Sequence, residues 1–353
     1  MIVPAFFVAC SVDKQISAGR SDIDIVIVVP PGDVDSSHRE FARSRGLIID
    51  ETMALDSVDT IQICEGRLSY ATLMKLLLAG HFRDRYDKLL YLDADLTIHA
   101  DVGGLFKIDV GRHALAAVRS GHILSDLPAT EIERIHGHFA ELGMTPPFWY
   151  FNSGVMLIQP DAWIATHLPE RSLEFIRHNP QLCELPDEDG LNAVLDGDIL
   201  ELSPIWNARP NRHLARPFEP AIIHYAGPDK PWRRFGRQKR LGDLKAAYRL
   251  YQAFTADSPW PGFLRTQWNV ANLGGSIWRE VETLSTFLNP AQSQRQRARK
   301  KTFLDDLRRY VQEADFVDVE QGVAVREDGF IRCASRHEER GAQRKKERGE
   351  LAR

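Results

Sequence analysis

A chain of 353 residues can hold one large domain with an extension, or two domains, and its 43% hydrophobic and 27% charged content excludes a disordered or fibrous polypeptide. The formal charge of −4 conceals a division: residues 1–232 carry 20 Lys and Arg against 33 Asp and Glu, a balance of −13, whereas 233–353 carry 25 against 16, a balance of +9. The four cysteines, Cys10, Cys64, Cys183 and Cys333, show neither metal-ligand spacing nor a disulfide framework, which fits a reducing compartment, and no run approaches a membrane span.

In chain order, the opening MIVPAFFVACSV is apolar, lacks the basic leader of a signal peptide, and predicts a first strand over Phe6–Cys10. The β-branched run Ile23–Val29, stopped by Pro30-Pro31, predicts a second strand, and Thr60–Ile63 a third. Tyr70–Leu78 has helical apolar spacing that ends at Gly80. Leu89, Leu90, Tyr91 and Leu92 form an unbroken apolar run, the pattern of a strand buried on both faces of a parallel sheet. Ala114–Val118 predicts another strand, Ser120–Pro147 a polar excursion, and Trp149–Ile158 a strand ended by Pro160. Asp161–Arg177 has helical spacing with Asp161 placed to cap it, and Asp187–Leu195 reads as a helix with an acidic first turn. Ile199–Leu202 and Ala221–Tyr225 are the remaining strands. This alternation predicts an α/β fold, a mostly parallel central sheet flanked by helices.

Beyond Trp232 the texture changes. A basic run, Arg233–Arg240, precedes an amphipathic helix over Leu241–Phe254 and a break at Ser258–Gly262. Helical spacing returns at Leu284–Leu288 and Phe303–Val311, either side of the basic segment Gln292–Lys301, and Phe316–Ile331 has strand character broken by Gly322 and Gly329. The expected organisation is a principal domain over 1–232, a mostly helical basic extension over 233–335, and a charged tail over 336–353 too polar to fold alone. Trp260, Trp268 and Trp278 either bring the extension to an anionic membrane surface or pack it onto the principal domain. No motif supports nucleic acid as a partner.

Four short motifs carry chemistry. Asp93 and Asp95 follow the apolar strand two residues apart, which puts both carboxylates on one face of an extended chain, with Ala94 leaving room for a ligand. Two hard oxygen ligands at a strand's carboxyl end suit Mg²⁺ or Mn²⁺ bridging a diphosphate, although such a pair also serves as a turn or helix cap. Asn152 and Ser153 precede Gly154, which admits close backbone approach; the alternative is a β-bulge. Asp187, Glu188 and Asp189 open a helix, where they either complement its N-terminal partial charge or face a sugar as nucleophile or charge stabiliser. His224 heads a loop with Gly227 and Lys230; an imidazole can complete an oxygen-rich Mn²⁺ site and a lysine can neutralise a leaving diphosphate.

The set LLYLDADL, YFNSGVMLI, LPDEDGLN and HYAGPDKPW, in this order, resembles glycosyltransferase family 8, which includes glycogenin and bacterial lipopolysaccharide galactosyl- and glucosyltransferases. The likeness covers about residues 4–232. It implies a GT-A fold, a UDP-sugar donor, Mn²⁺ or Mg²⁺, a glycan or lipid-linked saccharide acceptor, and hexose transfer with retention. By residue, it implies that Asp93, Asp95 and His224 bind the metal, that Lys230 holds the diphosphate, that Asn152 and Asp187 meet the donor sugar, and that Lys88 lies near the nucleotide. Ala94, Ser153 and Gly227 belong to the same donor-binding motifs. Glu188 stands where the bacterial galactosyltransferases carry Gln near the anomeric carbon.

Three positions depart from the family. Its first strand ends in Ala-x-Asp, whose Asp contacts uracil; this chain has Ala9-Cys10-Ser11, with Asp13 two residues on. Tyr-x-Arg-Leu is replaced by Tyr70-Ala71-Thr72-Leu73, and an acidic sugar-binding residue by Ser120. These changes bear on base and donor selectivity and leave the metal and diphosphate apparatus intact. The expected location is the cytoplasm, with peripheral membrane contact if the basic extension provides it. The rival readings are a degenerate sugar- or nucleotide-binding member of the family and a sugar-nucleotide nucleotidyltransferase; the latter should show a Gly-rich basic loop, which Ser11–Gly19 lacks.

Overall fold

The computed structural model describes residues 2–16, 22–53, 70–120, 128–210, 216–227, 230–233, 242–266, 290–327 and 330–334. Three expectations lie outside them: the strand at Thr60–Ile63, the helical spacing at Leu284–Leu288, and the charged tail over 336–353. The basic run keeps only Arg233 within them, and Trp268 and Trp278 also fall outside.

The first element corrects the sequence reading. Ile2–Gln15 is a helix, α1, rather than a strand over Phe6–Cys10. Its residues Phe6, Phe7, Val8, Ala9 and Val12 are all buried, so it is apolar nearly all round, and periodicity cannot separate such a helix from a strand. Pro4 in the first turn, where no helical N–H is needed, favours the helix. Strand β1 (Val26–Val28) pairs in parallel with β2 (Ile48–Asp50) across α2 (Ser36–Ser44), which Asp35 caps by accepting from the His38 main-chain N–H.

After α3 (Tyr70–Phe82), β3 (Leu89–Leu92) and β4 (Leu96–Ile98) diverge into two sheets. The order β3-β6-β5-β7 forms one, with β5 at Leu115–Arg119, β6 at Phe151–Ile158 and β7 at Leu200–Leu202; β4 pairs with β8 (Ile222–His224) in the other. β5 and β7 run parallel, whereas β3 lies antiparallel to β6 and all four of its residues are only half-buried. The apolar run therefore marks a strand under helix α3, not one enclosed by parallel neighbours. Val26 and Val28 of β1 and Leu89 and Tyr91 of β3 pack against the same Met53, Met74, Leu78 and Phe82 cluster, so side chains join the β1-β2 sheet to the β3-β6-β5-β7 sheet on that face.

The polar excursion contains a helix, α4 (Ala129–Glu141), whose Ile135 and Phe139 pack beneath Tyr150. Asp161 does not cap a single helix: α5 (Pro160–Ala165) starts from Gln159 with Pro160 in its first turn, and a left-handed His167 separates it from α6 (Leu168–His178). Helix α7 (Pro186–Leu195) follows.

The extension shares the principal core. In α8 (Gly242–Ala256), Tyr251 stacks on Phe7 at 3.8 Å between centroids, and Trp260 lies 4.9 Å from Phe6 and 5.0 Å from His38. The segment Gln292–Lys301 belongs to one helix, Pro290–Glu313, and Phe316–Ile331 contains a helical turn, Val317–Glu320, followed by the hairpin β9 (Ala324–Glu327) and β10 (Phe330–Cys333). Leu307, Val311, Phe316 and Ile331 lie in the same apolar cluster as Phe6 and Leu96. Asp318, fully buried, accepts from Ser203 N, Ser203 Oγ and Trp206 Nε1 at 2.5–2.9 Å. These contacts tie the extension to the principal core and satisfy a turn that leads into the site.

Candidate active site

Asp93, Ala94 and Asp95 form a turn between β3 and β4, so the two carboxylates converge through a bend and not along an extended strand. Main-chain bonds pin both ends: Asp93 N donates to Gly154 O at 2.9 Å and Tyr225 N to Asp95 O at 3.0 Å. His224, the last residue of β8, projects between them, with Nε2 3.2 Å from Asp95 Oδ1 and 3.7 Å from Asp93 Oδ2. Asp93, Asp95 and His224 can each offer one ligand atom with all three atoms within 4.8 Å of one another. Two carboxylate oxygens with one imidazole nitrogen form a donor set that suits Mn²⁺ and accommodates Mg²⁺.

Gly154 makes this convergence sterically possible. A Cβ there would lie 2.2 Å from His224 Cε1 and 2.7 Å from Asp93 Oδ2. The glycine of the FNSG motif thus opens space for the imidazole, and the bulge reading also holds, since the β5–β6 register shifts between the pairs Ala117–Met156 and Arg119–Phe151 that flank it. Gly227 adopts φ +108°, a turn conformation that glycine reaches without a Cβ penalty, and the loop returns Lys230 to the site. The Lys230 ammonium contacts Asp95 Oδ2 and donates to Tyr225 O at 3.2 Å. Burial pushes the Asp95 carboxyl up, but the neighbouring His224 ring and the Lys230 ammonium outweigh burial and hold it well below the usual carboxylate range.

On the other side of Asp93 stands a residue that the motifs did not reveal. Lys75, buried in α3, lies 2.7 Å from Asp187 Oδ2 and 3.5 Å from Asp93 Oδ1, donates to Ser153 Oγ at 3.1 Å, and sits 4.9 Å from the Tyr91 ring centre. Burial disfavours its charge, but Asp187 and Asp93 more than compensate and keep it protonated. Its sequence signal was a lone lysine inside the apolar run Leu73–Leu78, one turn after Thr72. Tyr91 OH also donates to Asp93 Oδ1 at 2.6 Å.

The acidic first turn of α7 faces inward. Ser153 Oγ donates to Asp187 Oδ2 at 3.0 Å; Glu188 Oε2 accepts from Asn152 Nδ2 at 2.7 Å and Ser153 N at 3.0 Å. Burial raises the Glu188 carboxyl to about 7, against the opposing pull of the Ser153 N–H. Asp189 accepts from Tyr150 OH at 2.6 Å and Leu185 N at 2.7 Å, so it secures the turn. Asn192 trades two bonds with the Phe151 main chain, which locks α7 to β6.

Lys88 donates to Phe106 O at 3.0 Å and Ile108 O at 2.6 Å, before the start of β3, roughly 15 Å of strand away from the carboxylates at its end. There it staples a loop. Ala9 is buried in the core, Ser11 donates back to Phe7 O at 2.7 Å, and Asp13 is half-buried on the same helix. These three therefore occupy helix α1, not a strand end. Ser120, at the end of β5 beside the start of β6, is 2% exposed, and its hydroxyl has no hydrogen-bond partner among the described residues.

The sequence profile of glycosyl transferase family 8 matches residues 7–236. General stress protein A of Bacillus subtilis is 31% identical over 162 residues, covering 41% of this chain and 52% of that protein. The lipopolysaccharide 1,3-galactosyltransferase of Salmonella typhimurium is 26% identical over 206 residues, covering 54% and 56%. The chain thus spans about half the length of these curated relatives. Among solved structures, the galactosyltransferase LgtC with donor and acceptor sugar analogues superposes with a TM-score of 0.57 at 23% identity, covering 71% of this chain and 91% of that one, a likeness that concerns the fold.

Proposed function

The chain belongs to glycosyltransferase family 8 and has the GT-A fold, and from that premise we propose that it transfers galactose or glucose from a UDP-sugar to a glycan or lipid-linked saccharide with retention. The observation that carries this reading is the convergence of Asp93, Asp95 and His224, from three chain positions, beside Lys230.

Asp93, Asp95 and His224 would hold Mn²⁺ or Mg²⁺, which supplies charge neutralisation of a departing diphosphate when bound. Lys230 exchanges Asp95 for a diphosphate oxygen and offsets the charge that develops as the glycosidic bond breaks, so no strong general acid is required. Ser153, Asn152, Asp187 and Glu188 line the adjoining edge of the sheet, where the donor sugar would sit. Asp187 is held by Lys75 and Ser153, and one Glu188 oxygen accepts two bonds; these ties support carboxylates that shape the site, with the acceptor attacking on the face that the diphosphate leaves. In the double-displacement alternative, Asp187 or Glu188 is the nucleophile. Ser120, small and without a hydrogen-bond partner among the described residues where an acid is expected, gives the donor pocket a chemistry of its own.

No helix among the described residues is long and apolar enough to cross a membrane. Peripheral contact through the basic extension at the cytoplasmic face accords with a lipid-linked acceptor. Sedimentation of the full chain with anionic vesicles, abolished by high salt, would support that contact; vesicles left free of protein at low salt would remove it.

Calorimetric binding of UDP, UDP-glucose and UDP-galactose, with Mn²⁺ and with chelator, tests the reading. Metal-dependent binding of UDP and one sugar nucleotide supports it and identifies the donor. Absence of binding by folded protein would replace it with the degenerate-module reading.

A further inference from the structure

We propose that Asn207 is a positioning residue that fixes the ring tautomer of His224, so that Nε2 keeps the lone pair a cation requires. The inference rests on the reading of Asp93, Asp95 and His224 as a cation site, and it adds to that site a residue outside every motif.

The direction of each hydrogen bond follows from two main-chain N–H groups, which can only donate. Ser153 N lies 3.0 Å from Glu188 Oε2, so that oxygen accepts. The Asn152 amide atom 2.7 Å from the same oxygen is therefore its NH₂ group. Independently, Gly154 N donates to the other Asn152 amide atom at 3.2 Å, which must be the carbonyl oxygen. That oxygen also faces the side chain of Asn207 at 2.8 Å, so Asn207 donates there through Nδ2. Only Asn207 Oδ1 remains, and it lies 3.0 Å from His224 Nδ1. A carbonyl oxygen cannot donate; Nδ1 carries the proton.

The placement is built into the fold. Asn207 ends the 3₁₀ turn Pro204–Asn207, whose Trp206 is tied to buried Asp318, and the next residue, Ala208, accepts from His224 N at 2.8 Å. One turn thus holds both the main chain and the ring of His224. Without Asn207, Asp95 and Asp93, 3.2 and 3.7 Å from Nε2, would draw a single ring proton onto that nitrogen and occupy the lone pair. The amide chain through Asn152 opposes this pull, and Glu188 anchors its far end.

The test begins with ¹⁵N NMR of the ring nitrogens in full-length, metal-free protein at slightly alkaline pH, His224 being assigned by loss of its signals in His224→Gln. The expected spectrum has a proton on Nδ1; a proton on Nε2 with Nδ1 bare overturns the proposal. Calorimetric titration with Mn²⁺ follows. Asn207→Leu should weaken Mn²⁺ binding about 10- to 100-fold, the usual effect of removing a group that orients a metal-ligating histidine. Wild-type affinity in folded Asn207→Leu overturns the proposal. Should that variant fail to fold, the wild-type spectrum alone decides. A wild-type protein that binds no Mn²⁺ overturns the cation site itself, and the ring spectrum then reads the hydrogen-bond chain separately.

Discussion

The Nζ of Lys75 lies 2.7 Å from Oδ2 of Asp187, and neither side chain is more than 5% exposed. Helices α3 and α7 thus meet through a buried ion pair at the edge of the candidate site, with Asp93 as a second carboxylate 3.5 Å from the same ammonium. Replacing Lys75 by Met leaves both acids without their buried cation. Breaking such a pair from one side costs about 3–5 kcal/mol, so Lys75→Met should fall by that amount in urea unfolding. A loss under about 1 kcal/mol, the range of exposed ion pairs, would show that water solvates the pair.

At Gly154 the space for a side chain is already taken by His224 and Asp93. Gly154→Ala must displace the imidazole or the carboxylate, and overpacking of this kind costs about 1–3 kcal/mol. The variant should lose Mn²⁺ affinity in calorimetry while retaining its helical circular dichroism. Unchanged affinity would mean that the imidazole is not a ligand.

Asp95 contacts both His224 and Lys230. Asp95→Ala should abolish divalent-cation-dependent turnover of the sugar nucleotide found by calorimetry. Retained turnover would remove Asp95 from the metal site.

Glu188 supplies a pH signature. Its folded pKa, about 7, lies above the 4.5 of an unperturbed glutamate, chiefly because of burial. The native state therefore binds this proton more tightly than the unfolded chain does. Its stabilising contribution is complete below about 4.5 and is lost as pH rises through about 7. Glu188→Gln cannot titrate, so its stability relative to wild type should rise by up to about 3 kcal/mol across that window, read from denaturation midpoints at a series of pH values. A difference independent of pH would contradict the assignment. The same variant bears on mechanism: near-full activity would exclude Glu188 as an obligatory nucleophile.

Asp318 tests the extension. Its carboxylate accepts from Ser203 N, Ser203 Oγ and Trp206 Nε1 in a fully buried position, although the two residues it serves lie more than a hundred positions away. Asp318→Ala orphans these donors, at about 1–3 kcal/mol for an unsatisfied buried group. Thermal unfolding should show a single transition at lower temperature; two separated transitions would show that the extension folds apart from the principal domain.

Much of the site was legible because short motifs place their own residues. LDAD and HYAGPDK each carry a strand end and the residues that follow it, and FNSG opens a strand, so Asp93, Asp95, Asn152, Gly154, His224 and Lys230 could be named from local pattern. Helix α3, strand β6 and helix α7 were likewise visible from apolar spacing and first-turn acids. The opening helix was not, because a stretch that is buried nearly all round has no polar face to reveal its period.

What the sequence by itself determined is the family and the chemical inventory: two carboxylates, an imidazole and a lysine in the order that the four motifs supply. Only the tertiary structure decided which groups meet. It bent Asp93 and Asp95 toward His224 through a turn, brought Lys75 from α3 to Asp187 on α7, and placed Asn207 against the ring of His224. It also set Ala9, Ser11 and Asp13 on a helix in place of the expected strand, and tied Lys88 to the main chain of Phe106 and Ile108. The reason is physical: local pattern records what a residue needs from its own strand or helix. A buried ion pair or an amide chain is specified by groups distant in sequence, whose unpaired polar atoms become costly only when packing removes water from them.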